Sequence, residues 1–132
     1  MVPTSTGAAK SISIVLPELA GKLDGSAIRV PVPNVSMVDF TFLASRDVSK
    51  DDINKIMKEN ILGNYKNILS YVEAKLVSSD FNHTLYSCIF DPYETYVTMN
   101  NFCRVVCWYD NEWGFSQRMV DVTKLFGVIK ND

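Results

Sequence analysis

The stretch Phe102-Cys103-Arg104-Val105-Val106-Cys107-Trp108-Tyr109-Asp110-Asn111-Glu112-Trp113-Gly114-Phe115 changes character partway along. Its first eight residues are dominated by aromatic and β-branched side chains and read as a strand. Asp110-Asn111 reads as the polar loop after it, and from Ser116 to Ile129 the residues Met119, Val122, Phe126 and Ile129 fall on one helical stripe. Working back, Leu69 to Val72, Thr84 to Phe90 and Thr95 to Met99 also read as strands, punctuated by Asn82, Asp91-Pro92 and Asn100-Asn101. Their short connections favour antiparallel pairing. Ser49 with Asp52 three residues on predicts a capping box, opening a helix with Ile53, Ile56 and Met57 inward. Ala27 to Ser45 reads as two strand segments broken by Pro31 and Pro33, the second placing Val38, Phe40 and Phe42 on one face. Near the start, Ser5 or Thr6 caps a short helix through Ala8, Ala9, Ile12 and Val15, which Pro17 ends; Gly21 and Gly25 then bracket a turn. Helices flanking a strand-rich middle predict an α+β fold, an antiparallel or mixed sheet with helices packed on one face.

The length of 132 residues fits one domain able to bury a core. Hydrophobic residues make up 47% and no apolar run nears the ~20 residues of a membrane helix, so no membrane association is expected. Thirteen Lys and Arg against fifteen Asp and Glu give a net charge of -2, which argues against nucleic acid as a partner. The charges between Lys50 and Lys58 are interspersed with Asp51 and Asp52 and read as a solvated helix face. No secretory signal is visible, which makes the cytoplasm the expected location. The cysteines Cys88, Cys103 and Cys107 lie in strand-like runs without a C-x-x-C pair and read as buried thiols. Cys103 and Cys107 share a strand face, but four residues at ~3.3 Å each separate them by about 13 Å, too far for a disulfide. With His83 the sole histidine, no metal site is expected. The six glycines contain no G-x-G-x-x-G, so a complete dinucleotide-binding domain is not encoded here.

Two corners invite chemistry. Ser5-Thr6-Gly7-Ala8-Ala9-Lys10 is a helix start, where free backbone N-H groups favour an anion by roughly 0.3 to 1 kcal/mol. Thr6 adds a hydroxyl, and Gly7 lets the backbone approach an oxygen closely. Arg29, in Ala-Ile-Arg-Val-Pro-Val-Pro-Asn (27 to 34), offers a planar pair of charged donors. Taken singly, the helix start also reads as a plain cap and Arg29 as a strand-edge charge or ion pair. At the second corner Asn111 carries both an amide donor and an acceptor, which suits a carboxamide ligand; a simple turn residue is the alternative. His83 follows Asp80-Phe81-Asn82 and reads as a solvent-facing turn residue rather than a general base.

The three segments Pro3 to Lys10, Arg29 to Ser36 and Trp108 to Ser116, in this order, resemble the second half of the catalytic domain of glyceraldehyde-3-phosphate dehydrogenases. The resemblance spans essentially the whole chain, residues 1–132, and implies the C-terminal part of that catalytic domain. The family's N-terminal NAD-binding Rossmann domain and its nucleophilic cysteine motif have no counterpart here, so no catalytic residue is assigned. The implied activity is oxidation of glyceraldehyde 3-phosphate to 1,3-bisphosphoglycerate in glycolysis. A thiohemiacetal forms on the cysteine, hydride passes to NAD, and the thioester is released to phosphate. By resemblance Thr6, Gly7 and Arg29 bind phosphate groups, and Asn111 orients the nicotinamide of the NAD cofactor. Implied partners are a phosphorylated aldehyde, inorganic phosphate, the NAD-binding half of the enzyme and, in the full-length protein, a homotetramer. Phe115 stands where many members have tyrosine. Erythrose-4-phosphate dehydrogenases can show the same Trp-Gly-Phe, so a fragment of that enzyme, or a non-catalytic scaffold, are the alternatives. The chain alone is expected to be inactive.

Overall fold

The computed structural model describes residues 1–129, with the side chains of Ala9 and Ile129 outside the description. The chain divides into two compact units, residues 1–33 and residues 34–132.

In the first unit, β1 (Val2–Ser5) pairs antiparallel with β2 (Ser26–Arg29), in a register that sets Val2 opposite Arg29 and Ser5 opposite Ser26. Between them lie α1 (Ala8–Val15), which stops before Pro17 as the sequence predicts, and a single 3-10 turn at Pro17–Leu19. Neither Ser5 nor Thr6 is the helix cap. Ser5 belongs to β1 and the cap position falls on Gly7, whose missing side chain leaves the cap to its backbone. No residue of this unit whose burial is described is buried.

The second unit is built on a four-stranded mixed sheet in the order β3-β6-β5-β4, with helices attached. β3 (Ser36–Leu43), β5 (Cys88–Thr98) and β6 (Phe102–Tyr109) form antiparallel pairs around β6, from Ser36 opposite Tyr109 to Leu43 opposite Phe102. β4 (Leu69–Tyr71) runs parallel to β5, against the antiparallel expectation. The reason is the segment between them, residues 72–87, which includes a 3-10 turn at Ser78–Phe81 and is long enough for a crossover rather than a hairpin. Thr84 to Ser87, expected as strand, is a connecting loop, while the Asp91-Pro92 break does not end β5. The register slips between Asp91 and Tyr96, so Pro92 sits in an irregular stretch where its missing N-H costs no ladder bond.

α2 (Lys50–Leu62) packs on β4 and β5, and its start is the predicted capping box: Ser49 Oγ accepts from Asp52 N at 3.1 Å and Asp52 accepts from Ser49 N at 2.9 Å. Ile53 and Met57 are half-buried, whereas Ile56, expected inward, is exposed. The core joins Val72, Phe81 and Ile89 to Val35 and Trp108, with Phe81 stacked on Trp108 at 5.3 Å. Phe90, Cys103, Val106 and Thr95 are the most deeply buried side chains. Thr95 is satisfied there by donating to Asn54 Oδ1 of α2 at 2.8 Å. Among the described residues no helix is long and apolar enough to cross a membrane.

Candidate phosphate and nicotinamide sites

The β1-β2 ribbon and the start of α1 carry the three residues expected at an anion. Arg29 ends β2 and is exposed, and it forms none of the ion pairs found among the described residues. Thr6 follows the last paired residue of β1, and its Oγ1 accepts from Ala8 N at 3.2 Å, which leaves its hydroxyl proton free to donate. Gly7 has φ -85° and ψ -1°, and a Cβ built there meets no atom within 4 Å. Its glycine is therefore not demanded by backbone conformation or by packing within this chain. The register does not bring Arg29 against Thr6: Arg29 lies opposite Val2, and four residues at ~3.3 Å put Thr6 about 13 Å along the ribbon. The guanidinium must reach back along the strand to share an anion with the helix start.

Asn111 lies elsewhere than the sequence suggests. It is the first residue of α3 (Asn111–Ile129), not a loop residue, because Asp110 caps the helix, which starts five residues before the expected Ser116. The Asp110 carboxylate is 3% exposed and accepts from Trp113 N at 3.0 Å, from His83 N at 2.9 Å and from Asn34 Nδ2 at 2.9 Å. Burial works to raise its pKa, but these donors, with the nearby His83 charge, hold it below the ordinary carboxylate value. The carboxylate thus ties the Asn34 and His83 segments to the base of α3 and fixes where the helix begins. Asn111 itself is exposed, its carboxamide free to face a ligand.

α3 then lies against the loop before β5. A Cβ on Gly114 would come within 3.1 Å of Tyr86 O, so this glycine is required by close approach. One turn on, Arg118 Nη1 donates to Asn67 O at 3.1 Å and Nη2 pairs with Asp121 at 2.8 Å. His83 is an exposed turn residue, as expected, with φ +61° and its ring 4.3 Å from that of Trp113. The stripe of Met119, Val122 and Phe126 does not face a core: these side chains are 54%, 48% and 68% exposed, and Phe115 is exposed as well.

The cysteines are not uniformly buried. Cys103 is, but Cys88 and Cys107 are half-buried, and the register sets them as diagonal neighbours on one face of β5 and β6. That proximity holds Cys88 below the ordinary thiol value, while the same proximity and burial push Cys107 up. Sequence spacing within one strand could not show this pair, because it is made by the register between two strands. Asp110 was likewise legible only as a loop residue. An acid immediately before the helical segment was the available signal for a cap.

The family model of the C-terminal domain of glyceraldehyde 3-phosphate dehydrogenase matches residues 1–111. The chain belongs to this family. Among curated relatives, the glyceraldehyde-3-phosphate dehydrogenase of Zymomonas mobilis is 52% identical over 122 residues, covering 92% of this chain and 36% of its own length. Those of Cereibacter sphaeroides and Xanthobacter flavus are 48% and 50% identical, each over 96% of this chain and 38% of their own length. The chain therefore spans between 36% and 38% of the length of these dehydrogenases. Both corners, at Thr6-Gly7 and Arg29 and at Asn111, lie inside the part that the glyceraldehyde 3-phosphate dehydrogenase model matches.

Proposed function

We propose that this chain acts as the C-terminal part of the catalytic domain of a phosphorylating, NAD-dependent glyceraldehyde-3-phosphate dehydrogenase, with the nucleotide-binding half and the nucleophilic cysteine outside these 132 residues. The observation that carries the reading is the family match over residues 1–111, together with about half-identity to three dehydrogenases of that name. The exposed apolar stripe of α3 supports it, since a contiguous apolar surface suits a docking partner and here the NAD-binding half is the partner proposed.

In this role Arg29 supplies a fork of charged donors to phosphate, and the Thr6 hydroxyl and the backbone at Gly7 supply neutral ones. Holding the attacking phosphate beside a thioester makes its attack effectively intramolecular, which is the kinetic use of such a site. Asn111 fits the cofactor chemically: an exposed carboxamide at a fixed helix start can donate to and accept from the carboxamide of a nicotinamide ring. NAD, when bound, supplies the hydride acceptor. Phe115 retains an aromatic face beside it but no hydroxyl. Glyceraldehyde 3-phosphate is the preferred substrate over erythrose 4-phosphate because the similar proteins carry the former name.

Steady-state assay of the purified, mass-verified chain with glyceraldehyde 3-phosphate, NAD and phosphate is expected to give no turnover. Mixing it with the nucleotide-binding half of a relative is expected to restore NADH formation. Turnover by the chain alone overturns the proposed division of labour, and a complex that forms but stays inactive favours a scaffold.

A further inference from the structure

We propose that Asn34 is a positioning residue for the nicotinamide contact: through Asp110 it sets the first turn of α3, and with it the direction of Asn111. The inference rests on the cofactor role given to Asn111 above, while its geometry lies wholly within the second unit. The Asn34 amide group is fully used. It donates to Asn82 Oδ1 at 2.6 Å and to Asp110 Oδ2 at 2.9 Å, one acceptor for each of its two hydrogens. His83 N donates to the same Oδ2 at 2.9 Å, so this oxygen carries two donors from two different segments. With Oδ2 held, the carboxylate cannot turn about its Cβ–Cγ bond, and Oδ1 stays on Trp113 N at 3.0 Å. The Asp110 carbonyl accepts from Gly114 N at 3.0 Å, which makes Asn111 the first helical residue.

The backbone of both donor segments is strained. Val35, directly after Asn34, has φ +69°, and His83 has φ +61°. Among the described residues with left-handed φ, Val35 is the β-branched one, and so the sharpest departure from ordinary backbone. Such a conformation persists where the surroundings over-determine it, and Val35 packs against the core of Val72, Phe81 and Ile89. The core fixes Val35, and Val35 turns Asn34 toward Asp110. A plain helix cap asks for none of this, because the single bond from Trp113 N would satisfy it. The two further donors orient the carboxylate. Without Asn34, only the exposed turn residue His83 would hold Oδ2.

The test begins on the full 132-residue chain, with the Cα chemical shift of Asn111 in nuclear magnetic resonance reporting on the first turn of α3. Asn34→Ala is expected to move that shift toward its random-coil value at every pH. Asn34→Asp is expected to do the same at about pH 8, where two carboxylates face each other, and to recover at about pH 5, where a shared proton restores a donor to Asp110. His83, the neighbouring imidazole, is common to all the chains, and its effect cancels against the native one. Ser49→Ala, which removes the capping box of α2, controls for general destabilisation and is expected to leave the Asn111 shift alone. Should Asn34→Ala fail to fold, Asn82→Ala at an exposed position frees Asn34 from one anchor and is expected to move the shift the same way by less. In the complex with the nucleotide-binding half of a relative, Asn34→Ala is expected to raise KM for NAD about tenfold while KM for inorganic phosphate is unchanged. An Asn111 shift unmoved by Asn34→Ala, a response to Asn34→Asp that does not depend on pH, or an unchanged KM for NAD overturns the proposal. A native complex that forms no NADH overturns the proposed function instead, and the Asn111 shift then decides by itself whether Asn34 positions that residue.

Discussion

Arg29 and Asp110 represent opposite ways of using charge, and they separate experimentally. Arg29 is exposed and lacks an ion-pair partner among the described residues, so little folding energy rests on it. Arg29→Ala should change stability by no more than about 0.5 kcal/mol. If the guanidinium binds phosphate, the same change should weaken phosphate binding by about 10- to 100-fold, the equivalent of one charged hydrogen bond, read by calorimetry. Gly7→Ala is an internal check. Its negative φ and open surroundings predict a folded variant, and a methyl placed toward the bound anion should weaken binding without lowering stability. Asp110 is the reverse case, buried with three donors converging on it. Asp110→Ala strands those donors and removes the α3 cap, for a cost of about 2 kcal/mol or more in urea unfolding. Because its folded pKa lies below the ordinary 3.8, the unfolded chain binds more protons in that range. The contribution of Asp110 is therefore fully present above that value and is lost as pH falls through the depressed folded one. Acid titration of stability should show this loss in the native chain and not in Asp110→Asn; equal acid sensitivity in both would count against the assignment.

At the scale of elements, local signals were legible wherever the determining groups are neighbours in sequence. The capping box at Ser49 and Asp52 places the start of α2, and the unbroken run Phe102 to Tyr109 gives β6 residue for residue. Ser49→Ala should accordingly cost about 1 kcal/mol of unfolding free energy, and Asp52→Ala should also lower stability because each satisfies a backbone donor. No measurable change in either variant would mean that α2 is held by packing on β4 and β5 alone. What could not be read depends on partners far along the chain. The parallel direction of β4 follows from a crossover, and the continuation of β5 past Pro92 follows from a slip in pairing that only β6 reveals. Thr84 to Ser87 has strand composition, yet α3 approaches it through Gly114, and Arg118 takes the carbonyl of Leu85. The same limit applied to the candidate sites. The residue types at Thr6, Gly7, Arg29 and Asn111 could be read directly, but their placement along a ribbon or on the first turn of a helix could not.

For the molecule as a whole, the two units differ in what holds them. Residues 34–129 enclose buried side chains on a four-stranded sheet, including Phe90, Cys103 and Val106. Residues 1–33 offer a two-stranded ribbon, an eight-residue helix and no buried residue among those whose burial is described. A two-stranded ribbon is marginal in water, and a helix of that length is too short to persist without tertiary cover. Native-state hydrogen exchange of the isolated chain should therefore show fast amides across Val2–Ser5 and Ser26–Arg29 and slow ones in β5 and β6. If the nucleotide-binding half is the missing cover, its addition should slow exchange in the ribbon and along Met119, Val122 and Phe126, while β5 and β6 change little. A ribbon already as protected as β6 in the isolated chain would show that the first unit needs no partner. A charged variant such as Phe126→Glu distinguishes the two surfaces, because it should abolish protection of α3 by the added half while leaving phosphate binding at Arg29 intact.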